Sequence, residues 1–95
     1  MRKEEVLKIL GNHKQELSNK YRVNKVGIFG SVARDSDEPA SDIDIVVDME
    51  PNLLLQAQLQ TALEALLNSK VDLVRYWSRM NKYLKAHIDK EALYV

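Results

Sequence analysis

Two acids at the head of an apolar run, Asp42-Ile43-Asp44-Ile45-Val46-Val47, most constrain what this chain can become. The run reads as a strand over Asp42–Val47, extending at most to Met49. Strand side chains alternate faces, so Asp42 and Asp44 are expected to point the same way. Asp is disfavoured in strands, and two in one short strand call for a reason. Carboxylates on one face repel each other unless a cation joins them. A hard divalent metal with oxygen ligands suits that geometry, Mg²⁺ above all. The competing reading is a pair of solvent-facing acids on an edge strand.

A second feature sits a fixed distance upstream. Val26-Gly27-Ile28-Phe29 is strand-like and runs into Gly30-Ser31, and ten residues separate Ser31 from Asp42. Backbone N–H groups at such a turn, opening a short helix, can hold a phosphate. Gly30 lets the backbone approach closely, and Ser31 can donate from its hydroxyl and its N–H. Taken alone, Gly-Ser is an ordinary strand-to-helix turn. Arg34 follows on the same turn, either to neutralise a triphosphate or as a solvated or salt-bridged arginine. Asp72 interrupts another apolar strand, Val71-Asp72-Leu73-Val74, which can pair beside Asp42–Val47. A strand-end acid is the bland reading there. Three clustered carboxylates raise one another's pKa values, and a bound cation reverses that.

Gly30-Ser31-x10-Asp42-x-Asp44 resembles the signature of the polymerase-beta-like nucleotidyltransferase superfamily, and the short chain is similar to its minimal branch, the minimal nucleotidyltransferases (MNT). The resemblance implies an α/β (α+β) fold, a small mixed sheet flanked by helices. It implies metal binding and catalysis by Asp42, Asp44 and Asp72, with two Mg²⁺ ions. It gives nucleotide binding to Gly30, Ser31 and Arg34, with ATP as substrate. Asp72 matches the third acid, a second-metal ligand and in some relatives the base for the attacking hydroxyl. The family often has Ala-Arg-Gly where this chain has Ala33-Arg34-Asp35. The branch also resembles the antitoxin of HEPN/MNT toxin–antitoxin modules. That implies a hetero-oligomer with a HEPN ribonuclease toxin, neutralised by adenylylation of a toxin tyrosine in a type VII-like pair. Two other readings stay open: a module that neutralises its partner by steric occlusion, and an aminoglycoside-type small-molecule nucleotidyltransferase. A metal-binding structural domain without nucleotide is the blandest reading.

Composition sets the bounds. Ninety-five residues suit a single domain, 1–95, with little room for a separate acceptor-binding domain. Fourteen basic and 14 acidic side chains give a formal net charge of zero, without the basic excess of a duplex nucleic-acid binder. The absence of cysteine excludes disulfides, thiolate nucleophiles and zinc–thiolate sites. Arg2-Lys3-Glu4-Glu5 does not open a signal peptide, and no apolar run approaches the ~20 residues that span a bilayer. A cytoplasmic protein is the expectation.

The remaining elements follow from periodicity. Helices are expected over 3–20, from an N-cap at Asn52 to Asn68-Ser69, and from a cap at Ser78 to about Lys90. Met80, Leu84, His87 and Ile88 are expected to face inward on the last of these. Strands are expected at Lys25–Phe29, Val71–Val74 and Ala92–Val95, a helical turn at Ser31–Arg34, and a loop at Asp35–Ser41. His13 and His87 are read as packing residues, because neither has a ligand-spaced partner. Leu53 and Leu54 exceed what a core needs and are candidates to meet a partner. Tyr76 and Trp77 read as cover for a core edge.

Overall fold

The computed structural model describes residues 2–34 and 42–95. The loop expected at Asp35–Ser41 lies outside them. Helix α1 (Lys3–Tyr21) leads into strand β1 (Lys25–Phe29) and the one-turn helix α2 (Gly30–Ala33). Strand β2 (Ile43–Asp48), helix α3 (Leu53–Leu67) and strand β3 (Val71–Arg75) follow. Helix α4 (Lys82–Glu91) and the two-residue strand β4 (Leu93–Tyr94) close the chain.

Each helix has a local cause. The α1 stripe buries Val6, Leu10 and Leu17, and its ends carry Glu4 and Glu5 first and Lys20 last, the signs the helix dipole favours. Helix α3 starts where Asn52 Oδ1 accepts the Leu55 N–H at 3.0 Å. It ends at Asn68 in the left-handed region, φ 50°. Helix α4 starts later than expected. Asn81, not Ser78, is its cap, with Oδ1 accepting the N–H groups of Tyr83 at 3.0 Å and Leu84 at 3.1 Å. Ser78 instead lies in a turn that the Met80 N–H closes onto the Trp77 carbonyl.

The sheet order is β3-β2-β1-β4. Strand β1 is antiparallel to both β2 and β4, whereas β2 and β3 are parallel and joined through α3. Alternation then sorts the side chains. Val26, Ile28, Ile43, Ile45, Val47, Val71 and Leu73 pack with α1 and α3 in the larger core. Phe29 and Val46 pack on the opposite face with Met80 and Ile88, beside Val74, Tyr76 and Leu84. Both faces are covered, so the β2 run Ile45-Val46-Val47 is continuously apolar. Asp44 and Asp72 fall on the second face. Beyond its cap, α4 departs from expectation at His87, which is mostly exposed because the inward positions go to Leu84 and Ile88. Among the described residues no helix is long and apolar enough to cross a membrane.

Candidate active site

The β2–β3 register places the acids. Asp44 lies directly opposite Asp72 in the parallel pair. Strand β3 is anchored just before that point by two α3 side chains. Glu64 Oε2 accepts the Val71 N–H at 3.0 Å, and Gln60 Nε2 donates to the Val71 carbonyl at 3.0 Å. Asp72 is thereby fixed beside Asp44. Strand β2 begins at Ile43, so Asp42 precedes the strand and is exposed. The structure therefore pairs Asp44 with Asp72, while Asp42 acts on Asp44 through its charge.

The Asp44 carboxyl is pushed up from 3.8 to about 6. Burial is the largest cause, followed by the charges of Asp72 and Asp42 and a side-chain hydrogen bond with Asp72. Arg34 opposes the rise, which places its guanidinium within electrostatic reach. No group of three or more His, Cys, Asp or Glu stands preassembled as a metal cage among the described residues. The donor set nevertheless fits a hard divalent cation. It is all carboxylate oxygen, and its members raise the Asp44 pKa in a way a bound positive charge would reverse.

The Gly-Ser turn stands against this pair. Phe29 of β1 faces Asp44 of β2 in the register, and Gly30 follows immediately. Gly30 has φ 71°, the left-handed region where a side chain is strained. A Cβ there would run into the Asp44 carboxylate. Glycine is required twice over, for the backbone angle and for the close approach of turn to acid. Ser31 is half-buried on α2, and Arg34 is its C-cap residue.

One residue of the site was not singled out from the sequence. Glu91, at the end of α4, accepts the Gly30 N–H at 3.1 Å and two contacts from Arg34 Nη1 at 3.0 and 3.2 Å. Its signal was present: an acid in the last helical turn opposes the dipole and needs a compensating partner. Of the other candidates, His87 on the exposed side of α4 lies 4.0 Å from Glu91 Oε1, and the rest are placed away from this chemistry. His13 Nδ1 lies 2.9 Å from the Ile9 carbonyl, a local helix contact. Tyr76 donates to Asp89 at 2.6 Å, and Trp77 lies under the Arg75 guanidinium. Leu53 and Leu54 are exposed.

The comparisons with known proteins agree with this geometry. The family model described as polymerase beta, nucleotidyltransferase matches residues 12–95. Protein adenylyltransferase MntA of Thermococcus cleftensis is 44% identical over 92 residues, covering 95% of this chain and 88% of that protein. A solved structure provisionally described as a minimal nucleotidyltransferase superposes with a TM-score of 0.77 at 33% identity, over 98% of this chain and 95% of that one. A tri-AMPylated Shewanella oneidensis HEPN toxin in complex with MNT antitoxin matches with a TM-score of 0.65 at 21% identity. That match covers 93% of this chain and 70% of that one, and speaks to the fold alone. With a matched family model across most of its length and a relative of this identity, the chain belongs to the polymerase beta nucleotidyltransferase family, in the company of minimal nucleotidyltransferases.

Proposed function

We propose that residues 1–95 act as a single minimal nucleotidyltransferase domain that transfers AMP from ATP to a hydroxyl of a partner protein, a tyrosine of a HEPN toxin. The observation that carries this reading is the Asp44–Asp72 pair lying against the left-handed Gly30 turn. It puts two carboxylates and the Gly-Ser turn side by side. The likeness to a protein adenylyltransferase supports the reaction class. The fold shared with the antitoxin of a tri-AMPylated HEPN toxin supports the acceptor.

In the proposed reaction the tyrosine oxygen attacks the α-phosphorus of ATP. A P–O bond to that oxygen forms as the bond to the β-phosphate oxygen breaks, and pyrophosphate leaves. Asp72, exposed at the rim of the pair, accepts the hydroxyl proton. Ser31 orients the triphosphate through its backbone N–H and hydroxyl donors, Gly30 gives the turn its close approach while its own N–H is held by Glu91, and Arg34 offsets the triphosphate charge. Asp42, Asp44 and Asp72 would hold Mg²⁺, which when bound supplies neutralising charge for the attacking and leaving oxygens.

The test is the intact mass of the neighbouring gene's product after incubation with this protein, ATP and Mg²⁺. AMP-sized additions are expected, and none with an Asp42→Asn/Asp44→Asn variant. A stable complex formed by both versions with no mass added would instead make this chain a steric binding partner.

A further inference from the structure

Resting on that nucleotide reading, the geometry points to Glu91 as a positioning residue for the triphosphate site, acting through Arg34 and the Gly30 backbone. One carboxylate fixes two parts of the turn at once. Its Oε1 accepts the Gly30 N–H at 3.1 Å and an Arg34 Nη1 contact at 3.0 Å. Its Oε2 takes a second contact from the same nitrogen at 3.2 Å. The Glu91 side chain is only 19% exposed, against 56% for Arg34, so the acid is the fixed member of the pair.

The placement has a physical consequence. Arg34 sits close enough to Asp44 to lower its pKa. An unrestrained guanidinium beside two carboxylates would pair with them directly, in the bidentate manner that arginine favours. It would then block the metal ligands and withdraw from the triphosphate. Glu91 supplies a competing carboxylate on the α4 side and holds Arg34 off the Asp44–Asp72 pair. It grips by a single nitrogen, unlike the two-nitrogen fork that matches an oxyanion. Gly30 is held between this acid on one side and Asp44 on the other. Ordering a long side chain before the ligand arrives also removes an entropy cost from binding.

The test is calorimetric titration of the full chain with a non-hydrolysable ATP analogue and Mg²⁺, applied to Glu91→Gln, Arg34→Ala and the double variant. Glu91→Gln keeps an acceptor for the Gly30 N–H and changes little but charge, so its melting temperature is expected to stay close to that of the unsubstituted chain. Its Kd is expected to rise about fivefold, the size of an ordinary pairwise coupling. In the Arg34→Ala background the same change is expected to add less than about twofold, because Glu91 acts through that arginine. An unchanged or tighter Kd for Glu91→Gln overturns the proposal, as do effects that simply multiply in the double variant. Absence of binding by the unsubstituted chain would overturn the nucleotide reading itself, and this role with it.

Discussion

Asp44 is half-buried between the Gly-Ser turn and Asp72, with its carboxyl pushed up to about 6. The folded chain therefore keeps this proton at a pH where the unfolded chain has lost it. Stability from this group is undiminished below 3.8, falls as pH rises toward about 6, and stays reduced above it. Asp44→Asn is expected to stabilise the metal-free fold by about 1 kcal/mol at pH 7.5, the linkage value having been discounted for partial exposure. The gain should vanish near pH 3.5, and urea titrations at the two pH values would check it. Millimolar Mg²⁺ should raise the melting temperature of the unsubstituted chain and do much less for the variant. The same substitution is expected to cut AMP transfer by about a hundred- to a thousandfold, as loss of a principal electrostatic contributor does. Gly30→Ala is expected to be worse for the fold. It adds strain at φ 71° and a collision with Asp44, together about 2 kcal/mol or more by denaturant melting. The pattern of these residues was legible in the chain as Gly30-Ser31 and Asp42-x-Asp44. The left-handed angle and the close approach of Gly30 to Asp44 were not, because both depend on how two strands meet.

Elements behave differently according to whether their causes are local. Strand β1 falls where its apolar run places it, and α3 falls between Asn52 and Asn68, because cap and periodicity act within one stretch of chain. Helix α4 did not yield in the same way. Ser78 and Asn81 are both competent caps, and Met80 decides between them by being buried against Val46 and Ile88. Asn81→Ala is expected to cost about 1 kcal/mol by chemical denaturation, while Ser78→Ala should cost little. Strand β4 is two residues long and owes its pairing to Gly27. A Cβ at Gly27 would lie 2.7 Å from the Leu93 carbonyl oxygen and 2.8 Å from Tyr94 Cδ1. Gly27→Val should therefore displace β4, costing about 1–3 kcal/mol. Because β4 follows Glu91 by only Ala92, nucleotide binding should weaken with it, which the same calorimetric titration would read.

The molecule as a whole rests on one sheet with a helical layer on each face. If residues 1–95 form a single cooperative unit, circular dichroism and Trp77 fluorescence should report one coincident unfolding transition. Two separated transitions would argue against that reading. The chain's order of residues was enough to fix the strand-like runs, two of the helix caps, the Gly-Ser turn and the spacing to the acids. Those features depend on φ/ψ preferences, periodicity and neighbours a few positions away. Partners far apart in the chain were decided by folding alone. Asp44 meets Asp72 through β-ladder register, and Glu91 reaches Gly30 and Arg34 from the far end of the sequence. His87 turned outward for the same reason: which face of α4 is buried depends on the sheet it packs against. The strand pattern around Asp72 and the resemblance put that acid forward, but the register that seats it opposite Asp44 is set by long-range packing.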